Sequence, residues 1–476
     1  MILQCTDYSL IFSSNKMQSL SSNVVKSVLR RAGFGFAQEM PQSKVRPAKY
    51  EGRSFENVLA TRKKHMPEFQ FYYYKEPLLI TEGHGQYLFD YKGKQYLDLC
   101  AGISTVNCGH SHPRITKVVQ DQIGKLGHIS PIFLQEYQGE YCKQLAETLG
   151  PEFDQVFLVN SGAEANDFAI LLSRLYTGAS KVLSLRYGYH GLVGASQGVT
   201  NVSTWNHPVV RGYDIEKLAF PATYRGLFKG GVDEYVKEAE EVIGSCTSGK
   251  IACFIAEPIQ GVAGAYPLPP TYLTRMYEVI RKYGGLCIAD EVQTGFGRAG
   301  KNYWGFRTQG AKPDIVTMAK GIGNGFPMAA VATRKEVMDS IKKVHFNTFG
   351  GGLLQSRIGM EVLNIIKDEK LHENAETVGN YLQQKLREVG ERNPVLGDVR
   401  GSGLMVAIEF VKDRKTKEPA PEITTWLNEA FKEKGLLMSK GGIYGNVFRI
   451  IPPLVLTKAD VDYIAWAVED CIRRYK

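Results

Sequence analysis

The sequence predicts an α/β protein: a mostly parallel sheet wrapped by helices, with a smaller α+β domain beside it. Three observations carry this. From Gln155 onward, apolar runs of strand length alternate with helical periodicity, the pattern of parallel strands joined by crossover helices. Two of those runs, Leu286 to Ala289 and Asp314 to Ala319, have the length and apolar content of buried strands, and each is followed at once by one ionisable residue, Asp290 and Lys320. From about Val395 the pattern changes to short strands mixed with helices, which marks the smaller domain.

Composition sets the outer limits. The chain has 476 residues, 43% hydrophobic and 22% charged, which is globular composition with room for one large domain and a companion. No apolar run approaches the roughly 18 to 20 residues of a membrane-spanning helix, so the expectation is a soluble protein. Eight cysteines without a close pair fit a reducing compartment rather than a disulfide framework or a zinc site. The net charge is +9, of which eight basic and three acidic residues in the first 53 supply +5, leaving +4 for the other 423. Between Gln18 and Gln38 there is no acid, while Lys26, Arg30 and Arg31 accompany Val24, Val25, Val28, Leu29 and several serines. That composition predicts a mitochondrial transit peptide over residues 1–40 and a matrix location. A nucleic-acid-binding arm is the weaker reading, since three charges without interleaved aromatics grip phosphates poorly.

Residues 41–53 are rich in Pro, Lys and Arg and read as a linker, with the folded body opening at about Ser54. Alternating runs at Leu78 to Thr81, Gln86 to Asp90 and Gln95 to Leu99, separated by glycine turns, predict an antiparallel meander. A helix follows from about Arg114 to Lys125. His110 and His112 just before it lack a partner at a ligand-like spacing, so turn-stabilising hydrogen bonds are expected rather than a metal. After the strand from Gln155, Asn160-Ser161-Gly162-Ala163 falls between strand and helix, with Glu164 in the first helical turn. Free N–H groups and the positive helix end make that turn an anion site, and Gly162 allows close approach to the backbone. Strands at Lys181 to Leu185 and Ile251 to Ala256 end in Tyr187-Gly188-Tyr189-His190-Gly191 and in Glu257-Pro258-Ile259-Gln260-Gly261. An aromatic side chain at such a strand end can cover the face of a flat ring. Helices are expected over Pro270 to Tyr283, Leu353 to Asp368, Leu371 to Arg392 and Thr424 to Lys434, and after the cap Thr457. Further strands are expected at Ala329 to Thr333, Gly403 to Val411, Leu436 to Ser439 and Asn446 to Ile451.

An aspartate and a lysine at neighbouring strand ends are what pyridoxal phosphate chemistry needs. The amine condenses with the aldehyde, and the carboxylate keeps the pyridine nitrogen protonated. Two such residues alone also make an ordinary ion pair. The surrounding motifs decide the matter: Asn160-Ser161-Gly162-Ala163-Glu164-Ala165-Asn166, Tyr189-His190-Gly191, Ala256-Glu257-Pro258-Ile259-Gln260-Gly261, Ala289-Asp290-Glu291-Val292-Gln293-Thr294-Gly295-Phe296-Gly297-Arg298, Ala319-Lys320-Gly321-Ile322-Gly323-Asn324-Gly325 and Asn347-Thr348-Phe349-Gly350-Gly351. From about residue 55 to 476 the chain resembles the class III pyridoxal-phosphate aminotransferases, most closely their mitochondrial alanine–glyoxylate branch.

The resemblance implies fold type I: a large domain with a mostly parallel seven-stranded sheet over residues 106–370, and a small α+β domain built from 41–105 and 371–476. It makes Lys320 the cofactor-bonding lysine and the proton shuttle, and Asp290 the partner of the pyridine nitrogen. Gln293 is expected at the phenolic oxygen, Ser161, Gly162 and Ala163 at the phosphate, and Tyr189 on the ring with His190 beside it. Glu257 supports the site from behind. Thr348 reaches the cofactor of the neighbouring subunit, which implies a homodimer or a dimer of dimers. Arg449 grips the substrate carboxylate, and no metal, nucleic acid or membrane is involved. Two departures narrow the substrate: ω-amine relatives have an arginine where Leu192 stands and a glutamate where Val262 stands. Without them Arg449 is free for an α-carboxylate, so an alanine-like donor and glyoxylate or pyruvate as acceptor are expected in a ping-pong reaction. A phospholyase using the same lysine on an amino-alcohol phosphate is the alternative. A third departure is Gly352-Leu353-Leu354-Gln355-Ser356-Arg357, where the family has small residues; the bulk of Arg357 is expected to loosen assembly or cofactor retention.

Overall fold

A computed structural model describes residues 38–228 and 231–475. The transit-peptide expectation over 1–40 therefore lies almost wholly outside the described residues. Pro41–Lys476 forms one compact unit, which contains two large sheets.

The seven-stranded sheet runs in the order Gln155–Val159, Ala329–Thr333, Ile315–Met318, Leu286–Asp290, Cys253–Ala256, Val182–Leu185 and Ile215–Leu218. Five of these strands, from Ile315–Met318 to Ile215–Leu218, are mutually parallel, and only Ala329–Thr333 runs against its neighbours. The two strands that carry the acid and the amine are adjacent, with Ile288 opposite Ile315 and Asp290 opposite Thr317. Both are buried along their whole length, as apolar runs with no polar face require. The helix Gly162–Thr177 covers one face of the sheet. Its Ala165, Phe168, Ala169 and Leu172 enter a core with Val182, Ile255, Ile288, Ile315 and Val331.

The second sheet draws on both ends of the unit: Ile80–His84, Tyr87–Asp90, Gln95–Leu99, Leu436–Gly441, Val447–Ile450, Met405–Asp413 and Leu396–Ser402, with Glu418–Pro419 paired to Met405–Asp413. The expected antiparallel meander is its first part, and Gln95–Leu99 then pairs in parallel with Leu436–Gly441. Met405, Ala407, Val447 and Ile451 pack on Ile259, Ala265 and Ala299, which belong to the loops leaving the first sheet. That packing brings the second sheet to the strand ends where the chemistry lies.

Several elements differ from expectation. Residues 41–53 carry no helix or strand but are fastened to the meander, through Ser43 N to Gln95 Oε1 (2.9 Å), Gln95 Nε2 to Pro41 O (2.9 Å) and Ala48 N to Glu82 Oε2 (2.9 Å). Ser54 does open the body, as the N-cap of a helix Phe55–His65. Helices Gln138–Leu149 and Val232–Cys246 are additional. Their apolar residues, Tyr141, Leu145 and Leu149 in one and Tyr235, Val236, Ala239 and Ile243 in the other, recur at helical spacing and are buried. No helix among the described residues is long and apolar enough to cross a membrane.

Candidate active site

A cleft of about 490 Å³ opens at the carboxyl ends of the parallel strands, lined by Ser161, Gly162, Ala163, Tyr189, His190, Glu257, Asp290, Gln293 and Lys320. Its size suits a small-molecule site. Each lining residue follows a strand, because a parallel sheet sends every connection out at the same end. Asp290 closes the Leu286–Asp290 strand and is 2% exposed. Its Oδ2 accepts hydrogen bonds from Asn166 Nδ2 (2.8 Å) and His190 Nδ1 (2.7 Å), and its Oδ1 accepts from Val292 N (3.0 Å). Three donors hold one carboxylate in a single orientation. Asn166 is itself held by Thr317 Oγ1, which donates to its Oδ1 at 2.6 Å.

Lys320 begins a single 3₁₀ turn, Lys320–Gly323, immediately after the Ile315–Met318 strand and Ala319. Its φ of +52° lies in the left-handed region, a strained conformation for a side-chain-bearing residue. The next turn is locked by Asn324, whose Oδ1 accepts from Cys108 N (2.7 Å) and whose Nδ2 donates to Gly109 O (3.1 Å). Desolvation pushes the Lys320 ammonium below the usual lysine range, against the pull of Asp290 and Glu257, and Arg449 pushes it in the same direction. Burial raises the Glu257 carboxyl to about 6, with His190 opposing the shift. Glu257 accepts from Tyr189 N and Gly261 N, both at 3.0 Å, so one side chain fixes the Tyr189 backbone and the turn that follows Glu257.

At the other end of the cleft, Ser161 caps Gly162–Thr177 in a reciprocal box with Glu164. The first helical N–H groups, at Gly162 and Ala163, have no acceptor within the helix and border the cleft. A side chain at Gly162 would strike Val292, its Cβ lying 2.9 Å from both Val292 methyls. Four polar atoms in and beside the site are shut off from solvent without a partner among the described residues: His190 Nε2, Gln293 Oε1 and, in the second sheet, Arg449 Nε and Nη1.

Two of the expected residues lie outside the cleft wall. Arg449, 7% exposed, sits in Val447–Ile450 opposite Ser439 and Ala407, close enough for its charge to act on Lys320. Thr348 is exposed and does not border the cleft of its own chain. Leu192 lines the cleft, and Val262 is half-buried with its carbonyl accepting from Gly442 N at 3.1 Å. Asn166 was legible only as part of a motif, since its hold on Asp290 spans 124 residues. His110 bonds Asp98 at 2.7 Å, while His112 caps Pro113–Ile123 and bonds Glu369 at 3.0 Å. No cluster of three or more His, Cys, Asp or Glu among the described residues could hold a metal ion. Arg357 is half-buried against its own chain: its guanidinium lies 5.0 Å from the Tyr137 ring and donates to Gln122 Oε1 at 3.1 Å.

A lysine and an aspartate at the ends of adjacent parallel strands, below an anion-receptive helix terminus, define an α/β enzyme of fold type I. The comparisons say which one. The profile of the family Aminotransferase class-III matches residues 72–472, and the chain belongs to that family. It is 44% identical over 435 residues to alanine–glyoxylate aminotransferase 2 homolog 2, mitochondrial, of Arabidopsis thaliana, covering 91% of each chain. It is 40% identical over 469 residues to alanine–glyoxylate aminotransferase 2, mitochondrial, of Homo sapiens, covering 93% of this chain and 91% of the relative. Among solved structures, an amine transaminase from an uncultivated Pseudomonas species, in its pyridoxal-phosphate-bound form, superimposes with a TM-score of 0.80 at 27% identity. That match covers 92% of this chain and all of the other. The chain is thus a transaminase acting on small amino and oxo acids, and the family implies pyridoxal phosphate. The phospholyase alternative is not favoured.

Proposed function

We propose that this enzyme transfers the amino group of alanine, or of a similar small amino acid, to glyoxylate or pyruvate, as a homodimer in the mitochondrial matrix with pyridoxal 5′-phosphate bound in the cleft. The observation that carries this reading is the meeting of Lys320 and Asp290 at adjacent strand ends, beside an arginine with uncommitted donors. The cleft fits the cofactor. It offers two helix-terminal N–H groups for a phosphate, an aromatic face, an unpartnered Gln293 amide oxygen and a carboxylate fixed by three donors. When bound, the cofactor supplies an aldehyde for covalent attachment and an electron sink for the charge left at the substrate α-carbon.

The chain's residues do the rest. Lys320 would hold the aldehyde and, once free, carry the α-proton; both roles need a neutral amine, and its desolvated setting favours one. Asp290 would keep a proton at the ring nitrogen, its carboxylate oriented by His190 and Asn166. Tyr189 would cover the ring, Gln293 would meet the phenolic oxygen, and Ser161, Gly162 and Ala163 would receive the phosphate. Glu257 acts through the Tyr189 backbone. Thr348, exposed and away from its own cleft, is free to reach the partner's cofactor. Arg449 forms no salt bridge with the described residues, and Leu192 and Val262 bring neither a second cation nor a competing acid. An α-carboxylate is therefore the natural partner of its fork. The names of the Arabidopsis and human relatives support alanine, glyoxylate and a mitochondrial location. A donor-by-acceptor panel on the purified protein tests this: alanine with glyoxylate or pyruvate should be among the fastest pairs. Failure of every α-amino acid to donate, or release of phosphate from phosphoethanolamine without amino transfer, would overturn it.

A further inference from the structure

A second cavity, of about 140 Å³, lies outside the catalytic cleft where residues 186–187, 220–227 and 442–447 meet. Tyr187, Tyr266 and Tyr444 form aromatic walls, and Arg186, Arg225 and Glu409 supply charge. Glu409 is 1% exposed and already committed: it pairs with Arg225 Nε and with Arg400 Nη1 (2.7 Å), and it accepts from the Tyr266 hydroxyl (2.9 Å). Arg400 also pairs with Asp398 at 2.7 Å. Glu238 in turn acts on Arg186, so the surrounding charges balance, while the cavity wall itself carries two guanidinium groups, Arg186 and Arg225, against the single carboxylate of Glu409.

All three cations have unused donors, that of Arg400 being its Nη2, which is shut off from solvent and has no partner among the described residues. Arg225 Nη2 is shut off from the cavity as well as from solvent, so Arg225 meets the cavity through the rest of its guanidinium, of which only Nε is committed, to Glu409, among the described residues. Arg186, exposed on the cavity wall, makes no side-chain hydrogen bond or ion pair with the described residues. A cation would be repelled, and an apolar guest would leave the Arg225 donor unsatisfied. A planar anion with a short carbon skeleton meets both demands, since a carboxylate accepts from a guanidinium and the rings cover the rest.

We propose that this cavity binds a small organic monocarboxylate, of the size of an oxo acid, at a site separate from the catalytic cleft. The site is wired to that cleft from two sides. Tyr187 holds a left-handed backbone (φ +65°) two residues before Tyr189, which lines the cleft. On the other side, Gly442 of the cavity wall donates to the Val262 carbonyl, and its neighbour Gly441 packs against Arg449, a Cβ there falling 3.0 Å from Arg449 Nε. Occupancy therefore bears on the arginine beside Lys320, so the acid acts as an effector as well as a guest. The cavity site needs only the charges and walls of the second cavity, whereas the count of two pyruvate sites rests on the transamination reading, which fills the cleft as well.

Titration calorimetry of the holoenzyme with sodium pyruvate tests it. Two sites per chain are expected in the parent protein. Arg186→Gln and Tyr444→Ala, both at exposed positions, should weaken one site by about 10-fold or more while leaving the other unchanged. Arg449→Lys should do the reverse. Pyruvate binding that neither cavity variant weakens would overturn the proposal, whereas a single site weakened by the cavity variants and indifferent to Arg449→Lys would count against the transamination reading alone.

Discussion

Asp290 shows how one residue acquires a role through its donors. Bonds from His190, Asn166 and Val292 leave its carboxylate one orientation. Asp290→Asn keeps the volume and one acceptor oxygen but turns an N–H group toward a donor, costing about 1 to 3 kcal/mol locally. Its main effect falls on the reaction. Removing the negative charge opposite the ring nitrogen should lower kcat/KM for alanine by on the order of a thousandfold, while a circular-dichroism melt shows a folded protein. Turnover near the parent's rate would mean that another group does this work. Arg449 tests the substrate rather than the cofactor. Arg449→Lys keeps the charge and loses the planar fork, so kcat/KM for alanine and glyoxylate should fall by about 10² to 10⁴. Val262→Glu should also weaken α-amino acid use by giving Arg449 an internal partner. A carboxylate-free amine donor is the control, and an equal loss on both donors would assign Arg449 to the fold instead.

Within single elements, burial and pairing produce effects that a pH or stability series can read. Glu291, beside Asp290, is fully buried and accepts from Thr294 Oγ1 (2.7 Å), Gly305 N (2.8 Å) and Phe306 N (2.6 Å). Burial nevertheless raises its carboxyl to about 7. The folded form therefore binds the proton more tightly than the unfolded chain. Below the unfolded value near 4.5 the group contributes nothing; as pH climbs to 7, roughly 3 kcal/mol of stability is lost. The parent should thus lose denaturant stability relative to Glu291→Gln between pH 5 and pH 8, and a pH-independent difference would contradict the assignment. In Leu353–Asp368, the ring and amide contacts of Arg357 tie the helix to Tyr137 and Gln122 of its own chain. Arg357→Ala should accordingly cost about 1 kcal/mol of stability, read by urea titration, without releasing the cofactor.

The whole molecule presents an apolar surface that a lone chain leaves wet. Ile132 is 74% exposed, Leu134 fully exposed, Val344 98% and Phe349 57%. The His128 and Phe349 rings, 5.1 Å apart, join the two loops that carry them. Exposed apolar side chains of this kind are what a partner surface would cover, and with Thr348 in the same stretch they motivate the proposed homodimer. Sedimentation equilibrium should give a dimer, and Leu134→Glu with Phe349→Glu should yield monomers of low activity. If the parent sediments as an active monomer, the assignment of Thr348 falls with it. For the front of the chain, N-terminal sequencing of the organellar protein should begin between about residues 30 and 50, and an intact Met1 or Met17 start would refute import processing.

Sequence alone determined what local chemistry can write. An apolar run closed by one ionisable residue located Asp290 and Lys320, a Ser-Gly-Ala turn before an amphipathic stretch located the helix terminus, and alternation around glycine turns located the meander. Each signal spans fewer than about ten residues and depends on burial or capping at that point. The helices Gln138–Leu149 and Val232–Cys246, outside the sequence-based expectation, carry the same local periodicity in their buried residues and are legible in the sequence on that ground. Other features were decided only in three dimensions. Asn166 and His190 reach Asp290 across 124 and 100 residues, and Gln95–Leu99 pairs with Leu436–Gly441 from the far end of the chain. Arg449 comes near Lys320 because the second sheet packs its Met405, Ala407 and Val447 against loops of the first. The second cavity, with its unsatisfied arginine, exists only where three distant segments close on one another. Long-range pairing is set by total burial and register rather than by any one stretch, and no local pattern encodes which segments will meet.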